Sequence, residues 1–326
     1  MKVDAAGIKQ FVEALPVKAG LAGTTRATWP LYLFRIDDVR AVASVLERGA
    51  IYSRNRAIEL GLLDHDAASP AVIEQSPDWI KRCVRLYFRP RTPTEYRSEG
   101  FRPAAALPMG AHRPMPVVLV FDSVPILTAD NTLFTNGNAA SWGVKHGGTI
   151  EFLNSIPFEK VYHEGTVKTD EKAEIVFRRC AEVLVPNQLE LANLKHVFCR
   201  SQAEYETLVN ILTEPTRKAF AKKIGVSARL HYKHWTFLEA VDLTPAQITF
   251  RFAPYSQTPG PFHAYIEIAN GAGHVIGRWE DPSWQAIGPK AFSLEQLGNL
   301  SAYRVTLKLD GFLAYAGVFT DKEALL

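Results

Sequence analysis

Cysteine is scarce in this chain, with three residues among 326: Cys83, Cys180 and Cys199. An odd number of cysteines without close spacing is not typical of a disulfide framework or of a zinc site built from cysteine pairs. We therefore expect reduced thiols and a cytoplasmic protein. No His-Glu-x-x-His pattern and no Walker-type Gly-Lys-Ser/Thr occurs either, so the sequence predicts neither a bound metal nor a P-loop nucleotide site.

Long apolar runs are missing as well. No stretch reaches the roughly 18–20 apolar residues that a membrane-spanning helix needs, and the segment Met1–Ala5 does not open a continuous apolar region typical of a signal peptide. We expect no membrane association. The chain is 47% hydrophobic and 22% charged, a balance typical of packed globular proteins, and its length suits two domains.

The net charge of +3 is small, but the positive charges are unevenly distributed. Glu95 and Glu99 are the acids within one markedly basic region. This arrangement permits two interpretations: a surface that attracts phosphates, or a solvated face whose arginines pair with acids elsewhere. The basic residues of this region are Lys81, Arg82, Arg85, Arg89, Arg91, Arg97, Arg102 and Arg113.

Hydrophobic periodicity predicts a mixed α+β protein in two domains. Helices are predicted over residues 5–15, after Asp37 or Asp38 with Gly49 as the stop, and after the capping box Ser201–Glu204. Buried strands are predicted over residues 84–88, 116–121 and 183–185. Beyond residue 229, two-residue periodicity and the turns Asn270-Gly271 and Asp310-Gly311 indicate β-hairpins. We expect domains over residues 1–228 and 229–326, the second of them β-rich.

Two short segments carry the strongest functional signal. The segment Pro90–Tyr96 follows an apolar strand and contains Arg91, and the segment Arg178–Pro186 places Glu182 at the start of another strand. A rigid sheet can hold both side chains still. An arginine can bind a phosphate and a carboxylate can stabilise a developing cation. The pair therefore suits chemistry at the ribose of a dinucleotide, without a metal or a cysteine nucleophile.

Three motifs occur in a fixed order within roughly residues 31–212, after a strand and a capped helix. They are Pro-Arg-Thr-Pro-Thr-Glu-Tyr at Pro90–Tyr96, Gly-Asn-Ala-Ala-Ser at Gly137–Ser141, and Ala-Glu-Val-Leu-Val at Ala181–Val185. In this order they resemble the DarT-type nucleic-acid ADP-ribosyltransferases. The resemblance implies an α+β fold, in which split antiparallel β-sheets surround an NAD cleft. The β-rich C-terminal domain is an addition to that pattern.

The same resemblance implies a function. NAD would be the co-substrate, and ADP-ribose would be transferred to a nucleobase of single-stranded nucleic acid, with thymine in DNA as the first expectation and RNA as the alternative. Proteins of this type are typically toxins of toxin–antitoxin or phage-defence systems, so an antitoxin is an expected partner. The acceptor base would have to be unpaired or flipped out of its stack.

The chain departs from the family pattern at its first strand. Family members usually carry His-x-Thr and then Asp-Asn there, whereas this chain has Tyr32, Phe34 and the pair Asp37-Asp38. The resemblance implies a rearranged NAD site or a divergent branch with another acceptor. The residues expected to bind the cofactor are Tyr32, Phe34, Asp38, Gly49 and Tyr96.

The resemblance also assigns catalytic roles. Glu182 would accept a hydrogen bond from the ribose 2′-hydroxyl and stabilise positive charge on that ribose; the alternative is a structural ion pair with Arg178 or Arg179. Arg91 would bind an NAD phosphate and orient the acceptor base; the alternative is a loop arginine paired with Glu95. The residues expected to contact nucleic acid are Asn138, Lys168, Arg178 and Arg179.

Other function classes stay open at this point. The chain is compatible with a non-catalytic nucleic-acid-binding protein, which would show salt-dependent affinity for oligonucleotides and no NAD consumption. It is also compatible with an ADP-ribosyltransferase that modifies proteins, or with a C-terminal domain that docks an antitoxin or chaperone.

Overall fold

The computed structural model describes residues 1–62, 73–74, 76–107, 110–298 and 300–321. These residues form two compact units, and each unit draws on several segments of the chain. The predicted division between residues 228 and 229 therefore does not coincide with the units, and it stays a prediction. The first unit comprises Met1–Ile36, Arg48–Tyr96 and Val118–Val197, and the second comprises Asp37–Glu47, Arg97–Val117 and Phe198–Leu326.

Strands account for much of both units. In chain order they are β1 (Tyr32–Asp38), β2 (Ala50–Tyr52), β3 (Cys83–Tyr87), β4 (Pro116–Asp122), β5 (Leu133–Thr135), β6 (His146–Gly147), β7 (Glu182–Pro186), β8 (Gln188–Glu190), β9 (Leu194–Cys199), β10 (Ile224–Val226), β11 (Leu238–Leu243), β12 (Gln247–Phe252), β13 (Phe262–Asn270), β14 (Val275–Trp284), β15 (Pro289–Ser293), β16 (Ala302–Leu309) and β17 (Phe312–Thr320).

The helices are short and most of them lie between strands. They are α1 (Ala5–Lys18), α2 (Val39–Arg48), α3 (Arg54–Glu59), α4 (Asp78–Lys81), α5 (Pro93–Ser98), α6 (Ser123–Leu127), α7 (Ile150–Ser155), α8 (Phe158–Val161), α9 (Lys172–Arg178), α10 (Gln202–Ile211) and α11 (Glu214–Phe220). In the described part of the chain, none of them is both long enough and apolar enough to cross a membrane.

Helix ends follow the capping residues of the sequence. Asp38 accepts a hydrogen bond from the backbone N–H of Arg40 (3.2 Å) at the start of α2, and Ser201 accepts one from the backbone N–H of Glu204 (3.2 Å) at the start of α10. Gly49 directly follows α2 with φ 74°, the left-handed conformation that glycine adopts without a Cβ clash. All three predicted helix boundaries are confirmed.

The sheet of the first unit brings distant segments together. Seven consecutive strands of this eight-stranded sheet run in the order β9-β4-β1-β3-β7-β5-β6. Strand β3 pairs antiparallel with β7, so that Tyr87 lies directly opposite Glu182 and Arg85 opposite Leu184. Strand β1 pairs antiparallel with β3, with Phe34 opposite Tyr87. Strand β4 is buried over almost its whole length, which explains its continuous apolar sequence.

The C-terminal part of the second unit is β-rich, as predicted. It contains the three-stranded sheet β11-β12-β15 and the four-stranded sheet β14-β13-β16-β17. Burial alternates along β13 and β16, because successive side chains of a strand point to opposite faces. The predicted turn at Asp310-Gly311 joins β16 to β17, with both residues at positive φ. Antiparallel pairing and period-two burial therefore confirm the hairpins.

Candidate active site

Glu182 begins β7 and is fully buried (0% exposed). Its backbone N–H donates a hydrogen bond to the Thr135 hydroxyl (2.9 Å) on β5. The same hydroxyl donates to the backbone carbonyl of Gly137 (2.7 Å). One strand-end threonine thus fixes both the backbone of Glu182 and the turn that follows β5.

The carboxylate of Glu182 is held by Arg85. Arg85 Nε donates to Oε2 (2.5 Å) and Nη2 donates to Oε1 (2.7 Å), so the contact is bidentate. The register explains it: Arg85 and Glu182 are diagonal neighbours on the same face of an antiparallel pair, within reach for long side chains. Oε1 also accepts a hydrogen bond from the backbone N–H of Ala139 (3.2 Å).

The charges of this pair stabilise each other. Burial opposes ionisation of Arg85, but the neighbouring Glu182 carboxylate outweighs it and raises the pKa of the guanidinium above its usual range. The Arg85 side chain is 26% exposed, so that solvent reaches the cation while the carboxylate stays covered. The site therefore holds an oriented, paired carboxylate.

The alternative partners considered for Glu182 were wrong. Arg178 donates from Nη1 to the backbone carbonyl of Asn136 (3.0 Å), and Arg179 Nη2 lies 2.7 Å from His163 Nδ1. Arg85 was missed as the partner because the sequence alone does not give the β3–β7 register. The signal was nonetheless present, since a charged residue alternates with Val84 and Leu86 in an otherwise apolar strand.

The buried thiol next to this carboxylate is not a nucleophile at neutral pH. Cys180 precedes Glu182 by two residues and is 3% exposed. Burial raises the pKa of this thiol to about 11, and the Glu182 charge adds to the effect. The thiol is therefore protonated under ordinary conditions.

Arg91 lies in the loop that continues β3, in a left-handed conformation with φ 54°. This conformation costs a non-glycine residue on the order of 1 kcal/mol and is common at functional sites. Its guanidinium forms an ion pair with Glu164; the pairing with Glu95 considered from the sequence stays a prediction.

Two contacts connect the Arg91 loop to the start of β7. The backbone N–H of Phe88 donates to the carbonyl of Ala181 (3.4 Å), and the Thr94 hydroxyl lies 3.8 Å from the Cys180 sulfur. Residues on both sides of Arg91 therefore contact residues next to Glu182. Arg91 and Glu182 lie at the same end of the β3–β7 pair; their sharing of one substrate crevice stays a prediction.

The residues expected to bind the cofactor occupy varied environments. Tyr32 is partly exposed at the start of β1, whereas Phe34 is buried (2% exposed) opposite Tyr87. Tyr96 is 38% exposed on α5. Gly49 accepts a hydrogen bond through its carbonyl from the backbone N–H of Leu191 (3.1 Å).

Asp38 has a structural role in the second unit. One of its carboxylate oxygens caps α2, and the other accepts a hydrogen bond from the backbone N–H of Met115 (3.4 Å). Its expected cofactor contact stays a prediction, as do those of the other four residues.

The residues expected to contact nucleic acid are similarly untested in that role. Asn138 accepts hydrogen bonds through Oδ1 from the backbone N–H of Ala140 (3.0 Å) and from Arg85 Nη2 (3.5 Å), so it belongs to the Glu182 network. Lys168 is exposed in a loop. Arg178 also forms an ion pair with Glu174 (3.6 Å).

A family model decides the family of this chain. The model described as "DarT: ssDNA thymidine ADP-ribosyltransferase" matches residues 34–235, more than half of the chain. The chain belongs to the DarT family. The predicted resemblance is therefore confirmed, and with it the enzyme class, an NAD-dependent ADP-ribosyltransferase.

The chain is also similar to solved DarT structures. The chain is similar to Thermus sp. 2.9 DarT in complex with ADP-ribosylated ssDNA, with 16% sequence identity, a TM-score of 0.50, and coverage of 62% of this chain and 97% of the other. The same Thermus protein in complex with NAD+ gives 16% identity, a TM-score of 0.48, and coverage of 62% and 98%. Thermosipho africanus DarTG in complex with ADP-ribose gives 16% identity, a TM-score of 0.45, and coverage of 65% and 53%.

The Thermus complex with ssDNA shares the fold of this chain, and the predicted α+β class is confirmed. A comparison with curated protein sequences found no match. The family match extends to residue 235, so that most of the β-rich C-terminal region lies beyond it.

Proposed function

We propose that this DarT-family chain transfers ADP-ribose from NAD to the base of thymidine in single-stranded DNA, with Glu182 and Arg91 as its catalytic residues. The observation that carries this proposal is the buried Glu182 carboxylate, fixed by Arg85 and by the backbone of Ala139 beside the segment that leads to Arg91. A preorganised charge of this kind is what a developing cation requires.

The role of Glu182 follows from the bonds that change. The bond between the nicotinamide nitrogen and the ribose carbon breaks, nicotinamide leaves with the electron pair, and positive charge develops on the ribose. The Glu182 carboxylate stabilises that charge and accepts a hydrogen bond from the ribose 2′-hydroxyl. A nitrogen of the base then forms the new bond to that ribose carbon with its lone pair, and its proton is released to water.

Within this carboxylate, Oε2 accepts fewer hydrogen bonds than Oε1 in the described part of the chain. Oε1 accepts from both Arg85 and Ala139, whereas the recorded contact of Oε2 in the described part of the chain is with Arg85 Nε. A carboxylate oxygen has capacity for more than one donor. The 2′-hydroxyl would be that second donor.

Arg91 supplies positive charge at the same end of the strand pair. Its guanidinium would bind a phosphate of NAD and orient the thymine. Arginine suits this role because its planar group stays protonated and can donate to two oxygens at once. Tyr32, Phe34, Asp38, Gly49 and Tyr96 would form the remainder of the NAD site, without a metal.

The biological setting is proposed by resemblance. The chain would act as a toxin of a toxin–antitoxin or phage-defence system in the cytoplasm, with an antitoxin protein as its partner. Asn138, Lys168, Arg178 and Arg179 would contact the DNA strand.

The acceptor can be identified by incubating the purified protein with labelled NAD and three acceptors: thymidine-containing DNA oligonucleotides, matched uridine-containing RNA oligonucleotides, and protein. We expect the label on thymine in DNA, located by mass spectrometry. Label found only on RNA or only on protein would show that thymine in DNA is not the acceptor. Oligonucleotide binding without any NAD consumption would contradict the transferase proposal.

A further inference from the structure

Three arginines surround the carboxylate of Glu164 in the first unit. Arg91 forms an ion pair with it, Arg89 Nη2 lies 3.3 Å from Oε1, and Arg26 Nε lies 3.9 Å from Oε2. These arginines come from separate segments of the chain: one precedes β1, and two follow β3. A single carboxylate is thus the common contact of three guanidinium groups.

A fourth arginine lies beside this cluster. One carboxylate faces three cations, and a fourth, Arg179, contacts the adjacent His163. Burial lowers the pKa of His163; the charges of Arg179, Arg89 and Arg26 lower it further, whereas the charge of Glu171 raises it. The arginine charges thus outweigh that of Glu171 at the imidazole next to Glu164.

The three arginines differ in what they can offer a ligand. Arg89 is 3% exposed and donates to the backbone carbonyls of Val161 (3.0 Å) and His163 (2.6 Å), so it supports the loop that carries Glu164. Arg91 and Arg26 are 30% and 23% exposed. These two side chains are accessible to a ligand.

Glu164 can move out of the cluster without disrupting a helix or a strand. It is 31% exposed and lies in a segment without helix or strand, next to Gly165 at φ 93°. A carboxylate is a small, singly charged anion, whereas a phosphate group presents more oxygens to arginine forks.

From this geometry we infer that Arg26 and Arg91 form a phosphate-binding site, held in shape by Arg89, which Glu164 occupies until a substrate phosphate displaces it. The inference rests on the proposed function, and it adds Arg26 as a binding residue and Glu164 as an internal competitor. The phosphate belongs either to the diphosphate of NAD or to the DNA backbone.

The test uses Glu164→Gln, because the two possible roles of Glu164 predict opposite changes. If Glu164 competes with a phosphate, removing its charge lowers the KM of the phosphate-bearing substrate, by roughly fivefold for a partly exposed ion pair, and leaves kcat close to wild type. If Glu164 only stabilises the loop, the KM rises or stays unchanged.

Separate titrations identify the source of the phosphate. A lower KM for NAD at saturating oligonucleotide assigns the site to the diphosphate, and a lower KM for the oligonucleotide at saturating NAD assigns it to the DNA backbone. Arg26→Ala should raise the same KM that Glu164→Gln lowers. Glu59→Gln is the matched control, since it removes a carboxylate from a single surface pair with Arg56, and it should change neither KM.

The inference is overturned if Glu164→Gln lowers neither KM, or if Arg26→Ala leaves both unchanged while thermal melting shows folded protein. These results are distinct from failure of the proposed function, in which the wild-type protein itself would transfer no ADP-ribose; that result would overturn the inference too.

Discussion

The pairing of Arg85 with Glu182 is the feature on which the site depends most. Sequence motifs led to Glu182 and Arg91, because the motifs surround ionisable residues with β-forming ones. They did not lead to Arg85, whose role depends on which residue of β7 lies opposite it. Sequence periodicity predicts strands, but it does not show which side chains the strand register brings into contact.

The same limit applies to the basic region considered from the sequence. Arg89 and Arg102 are buried and donate to backbone carbonyls, and Arg85 forms an ion pair with Glu182. These residues do not form an exposed phosphate-attracting face. Composition shows where arginines cluster, whereas only their contacts show which of them can reach a ligand.

Removing the Arg85 side chain should impair catalysis more than substrate binding. Arg85→Met leaves the Glu182 carboxylate buried without its bidentate donor, and we expect kcat to fall by about tenfold or more with a smaller change in the KM for NAD. Arg85→Lys should restore part of kcat, since it returns the charge.

Added guanidinium should partly rescue Arg85→Met in a steady-state assay of nicotinamide release, whereas urea, its neutral counterpart, should not. Wild-type kcat in Arg85→Met would show that Glu182 needs no such positioning.

Longer elements were predictable from their periodicity and caps, whereas several short ones were not. Helices α1, α2 and α10 carry clear stripes or capping residues. Helices α5 and α9 were not predicted from the sequence. A helix of six or seven residues has too few turns to show a periodic pattern.

Helix α9 matters to the site because it packs against the turn after β5. A Cβ atom at Gly137 would lie 2.2 Å from ring atoms of Phe177, which is shorter than the distance between two carbon atoms that are not bonded to each other. Gly137 is therefore required by close approach, and the turn it forms leads directly to Asn138 and Ala139, which contact the Glu182 network.

Gly137→Ala should displace this turn. We expect a loss of about 1–3 kcal/mol of stability, as for overpacking, and a lower kcat, measured by denaturant unfolding and by nicotinamide release. Gly7→Ala in α1 is the control, because its Cβ would lie at an ordinary contact distance of 3.7 Å from Ile150 and alanine favours the helix. Equal stability and kcat in Gly137→Ala and wild type would refute the close-packing argument.

Over the whole chain, the sequence predicted an α+β region and a β-rich region correctly, but it did not predict which residues belong to each compact unit. The β-rich C-terminal region is evident from period-two patterns, but each compact unit is built from several separate segments of the sequence. A segment such as Arg97–Val117 belongs to the second unit through contacts with residues far along the chain, and a change in local composition does not reveal this.

One such set of contacts is a buried charge cluster in the second unit. Arg200 Nη1 donates to Glu99 Oε1 (2.8 Å), Arg200 Nε donates to Glu204 Oε1 (3.1 Å), and all three side chains are at most 1% exposed. Burial raises the pKa of Glu99 from 4.5 to about 7, against the opposing charge of Arg200. Two carboxylates thus share one arginine.

This cluster predicts how stability changes with pH. Between about pH 4.5 and about pH 7 the folded protein keeps a proton on Glu99 that the unfolded chain has lost, so this group contributes a free energy of unfolding that falls as pH rises through this window. Burial and the charge of Arg200 lower the pKa of His231 to about 3, and this group contributes the opposite slope up to about pH 6.5. Glu99→Gln should remove the Glu99 contribution, so that the melting temperature of the variant rises more, or falls less, with pH than that of the wild type; equal slopes would contradict the assignment.

The most direct test of the account is the kcat for ADP-ribose transfer to a thymidine oligonucleotide in Glu182→Gln, compared with Glu190→Gln, which removes an exposed carboxylate from the neighbouring strand β8. The account predicts a folded Glu182→Gln protein with transfer reduced by at least about a hundredfold, and a Glu190→Gln protein close to wild type. Transfer by Glu182→Gln at the wild-type rate would contradict it.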